Sequence, residues 1–233
     1  AKIGNYFATP RSGKAVELNA LWYNALKVTE NFAKQFKDEK TEKECKELAK
    51  KVKTSLRNKF YNKDKKCLYD VIGDSKIRPN QLFSLALTNP VITLNTDKAK
   101  DIFETVSKEL VTRYGIATLG RKEKEYVGIY EGDSFKRDMT YHQGITWPWL
   151  TDLYVSAYKN LVKAEKNKEQ KVKLTLEYEK YVKHMRNIYT KAMYNEGAVG
   201  NLSEVYDSKR PYNPGGCFAQ AWSIAMLVKL MKD

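Results

Sequence analysis

Apolar residues recur three and four positions apart through most of this chain, the spacing of helices that each bury one face. In SGKAVELNALWYNALKVTENFAKQF, residues 12–36, the stripe runs through Val16, Leu21, Trp22, Ala25, Leu26, Val28 and Phe32, and it opens after Pro10 and Gly13. A second helix is predicted from about 40 to 61, with Cys45, Leu48, Ala49, Val52, Leu56 and Phe60 turned inward. Residues 67–78, CLYDVIGDSKIR, are too short and too Gly-marked for a helix and read as loop with a little strand. A helix of two or three turns is expected between Asn80 and Pro90, because proline bounds the segment at both ends. Thr96 reads as the N-cap of the next helix, with Asp97 in its first turn and Leu110 and Val111 in its last. Three more are predicted, over 144–164, 168–195 and 216–231.

Two stretches lack that period. Residues 114–144 hold Gly115, Gly120, Gly128, Gly132 and Gly144 among Tyr114, Tyr126, Tyr130 and Tyr141, and residues 197–216, GAVGNLSEVYDSKRPYNPGG, are rich in Gly and Pro. Loops this long inside a compact domain are uncommon and usually functional or disordered, and the aromatic content counts against disorder. About seven long helices joined by alternating long and short connections predict an all-α fold of helical hairpins in a ring or array. The whole of 1–233 is expected to form one domain, with function on the face that bears the long loops.

Composition narrows the partners. At 233 residues, with 42% hydrophobic and 30% charged positions and only six Pro, the chain is long enough for a sizeable core and too apolar for disorder. No apolar run approaches the roughly 20 residues a membrane span needs, and AKIGNYFATPRSGK lacks the order of a secretory signal. No membrane partner is expected. Cys45, Cys67 and Cys217 form no CxxC pair and suit free thiols in a reducing compartment, so the expected location is cytoplasmic. With His142 and His184 the only histidines, no metal site is expected. The net charge of +14 suggests nucleic acid, but only eight of the 42 basic residues are Arg. Lysines alternate with acids in runs such as KDEKTEKECKELAKKVK, the dressing of a solvated helix face, so no nucleic-acid partner is expected.

The long loops combine aromatics, Gly, carboxylates and amides. Sugar clefts share that composition, because pyranose CH faces stack on Trp and Tyr while hydroxyl rims pair with Asp, Glu, Asn, Gln and Arg. Core and capping roles for the same aromatics stay open at this point. Five blocks sharpen the picture: RSGKAVELNALWYNAL at 11–26, RPNQLFSLAL at 78–87, YGIATLG at 114–120, YVGIYEGDSFKRDMTYHQGITWPWL at 126–150 and GNLSEVYDSKRPYNPGGCFAQAWSIAMLVK at 200–229. In these blocks and their order the chain resembles the C-terminal glucosidase region of glycogen debranching enzymes.

The resemblance implies an (α/α)6 toroid of twelve helices, of which this chain supplies a partial toroid of about seven. It implies amylo-α-1,6-glucosidase activity without a cofactor: water releases glucose from the α-1,6-linked stub of glycogen or a branched α-glucan oligosaccharide, with inversion. Inversion uses two carboxyls, an acid for the leaving oxygen and a base for the water, about 6.5 to 9.5 Å apart. The C-terminal motif puts the base at Glu204. In the family a Thr-Trp-Met-Asp segment carrying the acid precedes the Ala-Lys that matches Ala1 and Lys2, so the acid is expected upstream and the chain reads as the C-terminal part of a longer protein. Asp138 and Glu131 are the in-chain substitutes. An incomplete ring would expose apolar helix faces, which makes self-association a further expectation.

Matching motif positions imply substrate contacts from Lys14, Glu17, Asn19 and Trp22 at the start of the first helix, and from Asn80 and Gln81 after Pro79. Tyr126, Tyr130, Arg137, Asp138, Tyr141, His142, Gln143 and Trp147 come from the first long loop, and Gln220 opens the last helix. Pro148 is expected in the first turn of its helix, Trp149 against a neighbouring helix and Trp222 in the core. Local roles compete for several of these, such as a Glu17–Lys14 pair. Two other functions fit the same residues: a non-catalytic module that holds glucan or a partner, and a related toroid hydrolase of glucoamylase or trehalase type.

Overall fold

The computed structural model describes residues 2–232, with side chains from residue 4 onward. The first long helix, α1 (Val16–Gln35), buries Val16, Ala20, Tyr23, Leu26 and Ala33. That is not the stripe the sequence suggested, since Leu21, Trp22 and Phe32 stay exposed. Helix α1 carries apolar residues on two faces, and its contact with α2 (Glu39–Lys59) selects the one that is buried. Helix α2 starts where Asp38 accepts a hydrogen bond from the Thr41 amide and buries Cys45, Ala49 and Leu56; Leu48 points to solvent.

A small hairpin, β3 (Tyr61–Asn62) with β4 (Cys67–Leu68), follows the N-terminal pair β1 (Lys2–Ile3) and β2 (Tyr6–Phe7) in chain order. The helix expected between Asn80 and Pro90 is instead a 3-10 turn, Pro79–Leu82, continued by one α turn, α3 (Phe83–Ala86). Leu87 is already extended, three residues before Pro90. Thr96 does cap α4 (Asp97–Leu110), accepting from the Ala99 amide.

The remaining helices are α5 (Ser134–Thr140), α6 (Leu150–Ala164), α7 (Lys168–Asn195) and α8 (Ala221–Lys232). Helix α5 lies inside the stretch read as loop; Asp133 caps it, and only Thr140 is buried, so no apolar stripe announces it. Helix α6 begins at Leu150, not 144. Pro148 therefore sits in the turn ahead of the helix, where its carbonyl accepts from the Thr151 amide.

The residues that delay α6 belong to an antiparallel sheet that no local pattern announces, and α8, expected from 216, starts only at Ala221, after a turn that follows the last strand. The sheet's order is β5 (Val111–Thr112), β6 (Gly115–Ala117), β7 (Thr146–Trp147), β8 (Val205–Tyr206) and β9 (Pro214–Gly215). Ile116 pairs with Trp147, Thr146 with Tyr206 and Val205 with Gly215, so the two long loops are stapled to each other. Gly115 at φ +120° permits that closeness, because a Cβ there would lie 2.6 Å from Thr151 Oγ1 and 2.8 Å from the Tyr189 hydroxyl.

Packing runs as an arc from α2 to α1 to α3 to α6, with α7 and α8 completing it and α4 flanking α6. One core gathers Leu26, Leu56, Leu82, Leu85, Ile102, Val106, Ile116 and Trp147. A second joins Tyr114, Tyr189, Tyr206, Met226 and Leu230. The chain is a mainly helical, toroid-type domain whose long loops are fastened by the small sheet. No described helix is long and apolar enough to cross a membrane.

Candidate active site

Glu204 stands directly before β8, half-buried, facing the turn that follows β9. Its amide donates to the Cys217 carbonyl at 2.8 Å, which fixes the backbone. Its carboxylate accepts from the Cys217 amide at 3.1 Å and from Gln220 Nε2 at 3.3 Å. The Tyr141 hydroxyl faces the same carboxylate; burial first, and then its hydrogen bond to Glu204 and the Glu204 charge, push that phenol above its ordinary range. A carboxylate has about four acceptor positions, so two fixed donors and one phenol leave room for a water.

An open depression of about 600 Å³ lies before Glu204, walled by Tyr130, Arg137, Gly215, Gly216 and Cys217. Burial and the charges of Glu204 and Asp138 raise the Tyr130 phenol, with Arg137 acting in the opposite sense. Asp138 acts on Tyr141 as well, so this second carboxylate shares the neighbourhood of Glu204.

From Tyr141 an aromatic wall continues. Its ring meets Tyr130 at 5.8 Å, His142 at 5.2 Å and Trp147 edge-on at 4.6 Å. His142 stacks on Trp147 at 5.5 Å, and Trp222 approaches Trp147 at 5.9 Å and Trp149 at 6.1 Å. His142, Trp147, Trp149 and Trp222 border a second depression of about 380 Å³, shared with Arg11, Arg78 and Asn80. Burial, reinforced by the Arg78 charge, lowers the His142 pKa to about 4, so the imidazole against Trp147 is neutral at pH 7.

A polar network underlies this second depression. Arg11 grips Glu17 at 2.7 and 2.8 Å and Asp70 at 2.6 and 3.1 Å. Asp70, 1% exposed, also accepts from Asn80 at 2.8 Å. Burial raises the Asp70 pKa, opposed by Asn80 and Arg11. Arg78 donates to the Thr118 and His142 carbonyls and to Gln143 Oε1, tying the 3-10 turn to the first long loop. Asp207 straps the two long loops by accepting from the Tyr130 amide at 2.7 Å and the Asn213 amide at 3.2 Å.

The expected site residues thus separate. Glu204, Tyr130 and Arg137 border the first depression; Asn80, His142 and Trp147 border the second; Tyr141 joins them, and Gln220 holds Glu204. Glu17 pairs with Arg11 and not with Lys14. Lys14, Asn19 and Trp22 line neither depression: Asn19 turns back to the Ala15 carbonyl, and Trp22 lies on the outer face of α1. Gln81 is 1% exposed, accepting from the Leu68 amide and donating to the Arg78 carbonyl, and Gln143 is spent on Ala8 and Arg78. Tyr126 bonds Ser208 at 2.6 Å and braces the loops. Trp222, expected in the core, is 47% exposed, whereas Trp149 packs against the core and against Trp222 of α8, as expected, and also borders the second depression. Arg11, Asp70, Arg78 and Asp207 were missed, although Arg11, Arg78 and Asp207 stand inside the quoted blocks; charged residues next to aromatics in those loops were the available signal.

A carboxylate with a free acceptor position, an aromatic wall and a rim of Arg and Asn define the class, a glycoside hydrolase-like domain. The family model described as amylo-alpha-1,6-glucosidase matches residues 1–229. The chain belongs to the amylo-α-1,6-glucosidase family. Among solved structures it is similar to a chain titled "Sialidase", with a TM-score of 0.69 at 14% sequence identity. That likeness covers 99% of this chain and 20% of the other, and it bears on the fold alone.

Proposed function

We propose that this chain supplies the base side of an amylo-α-1,6-glucosidase site, releasing α-1,6-linked glucose from glycogen or a branched α-glucan with inversion. The observation that carries the reading is the setting of Glu204: two donors orient the carboxylate, a phenol faces it, and it opens onto a sugar-sized depression. Ionised Glu204 accepts a proton from water as the water attacks the anomeric carbon. Tyr141 and Gln220 position it, Arg137 and Tyr130 meet hydroxyls, and Trp149 and Trp222, backed by the buried Trp147, receive the glucan's CH faces. Arg11 and Asn80 pair with its rim.

The acid that protonates the leaving oxygen is assigned to an Asp just upstream of Ala1, with Asp138 as the in-chain alternative because it shares the Tyr130 and Tyr141 neighbourhood with Glu204. The location is the cytoplasm, where the three free thiols stay reduced. The test uses glucose release from a branched limit dextrin by a longer form carrying the upstream segment. Glu204→Gln should lower the rate by about 10² to 10⁴. Unchanged activity in that variant would remove Glu204 from the mechanism.

A further inference from the structure

A cavity of about 700 Å³ lies between the C-terminal half of α2 and the start of α4, beyond the two depressions described above. Lys50, Lys53, Arg57 and Lys98 surround it, against a single carboxylate, Asp97. The first three recur at helical spacing and so share one face of α2. Among the described residues none of the four joins a salt bridge. Lys53 and Lys98 lie instead over the rings of Tyr23 and Tyr61, at 5.8 and 4.6 Å. Other lysines are matched, as in Lys27–Glu30, Lys65–Glu123 and Lys100–Glu165.

Like charges around one concavity repel each other until an anion enters, and the focused field favours that anion. Two further features add to it. The N-terminal turn of α4, capped by Thr96, borders the cavity and adds the positive end of the helix dipole. Val91 and Ile92 give the floor an apolar patch, and the volume exceeds that of a bare phosphate.

We propose that this cavity binds a small organic phosphate carrying at least two negative charges. The cations pair with the phosphate oxygens through charge-assisted hydrogen bonds, while the apolar floor meets the organic body. Calorimetric titration with glucose 6-phosphate, a nucleoside triphosphate, inorganic pyrophosphate and uncharged glucose tests it. Saturable binding of a phosphate ester, with none of glucose, is expected. The double variant Lys53→Gln, Arg57→Gln should weaken binding by about tenfold or more, because two charge-assisted bonds are lost. The control Lys180→Gln, Lys183→Gln removes equal charge from exposed positions on α7 and should leave binding unchanged. Tighter binding of the hexose ester identifies a sugar body, and tighter binding of the triphosphate a nucleoside one. Absence of saturable binding by every phosphate, or equal weakening by both double variants, overturns the proposal.

Discussion

Gly216 and Glu204 occupy one shared space: a Cβ on Gly216 would lie 3.1 Å from the Glu204 Cβ and inside contact distance of its carboxylate oxygen. Gly216 also holds φ at +68°, in the left-handed region. Gly216→Ala therefore has to move either the turn or the carboxylate. The strain costs about 1–2 kcal/mol, and the larger effect falls on turnover. On the proposed reading, kcat for glucose release should drop while the melting temperature moves by only a few degrees. A variant with wild-type kcat would show that the carboxylate's position does not matter.

Trp222 and Trp147 touch, yet substituting them separates binding from folding. Trp222 is 47% exposed and Trp147 is 5% exposed, with its indole N–H donating to the Tyr141 carbonyl. Trp222→Ala should weaken maltooligosaccharide affinity by the worth of one stacked ring, about 0.5–1.5 kcal/mol, and leave the melting temperature alone. Trp147→Ala should cost about 3–5 kcal/mol of stability. Equilibrium denaturation beside a binding titration distinguishes the two.

The partly buried His142 makes stability depend on pH with a defined sign. Its pKa falls from 6.5 to about 4 in the folded chain, so the unfolded chain binds the proton first. The folded state keeps its full advantage above pH 6.5 and loses it progressively as pH falls to about 4, by at most about 3 kcal/mol. Unfolding free energies of the wild type and His142→Gln, compared across that window, should diverge by this amount. A constant difference would mean that the imidazole titrates as in a free peptide.

Asp207 is 2% exposed and accepts from two backbone amides, those of Tyr130 and Asn213. Asp207→Ala strands both donors, at about 2–4 kcal/mol. Hydrogen exchange should speed up at those amides first, because they lose their acceptor directly. Protection that stays at the wild-type level would contradict the strap.

The long helices could be read from the sequence because their signals are local. Thr96 and Asn167 cap α4 and α7 where polar residues precede periodic runs. The small sheet could not be read. Its strands are two or three residues long, and its pairs, such as Thr146 with Tyr206, lie far apart in the chain. Strand pairing takes Thr146 and Trp147 out of the helical run expected from 144, and α5 carries no apolar stripe to announce it.

For the site, residue types in the long loops and the ordered motif blocks brought Glu204, Tyr141 and the Trp cluster into consideration. What each side chain touches was beyond them. Gln81 and Gln143 look as suited to a sugar as Gln220 does, yet the first two are buried against backbone and only Gln220 meets Glu204.

By itself, the sequence determined a mainly helical chain, the helix starts after Thr96 and near Lys168, and two loops enriched in sugar-binding residue types, because propensity, capping and composition act over a few residues. Tertiary structure alone decided which face of α1 is buried, which Trp reaches solvent and which carboxylates pair with Arg11. Those outcomes depend on neighbours brought together across the fold, and a periodic stripe does not specify which neighbour it will meet.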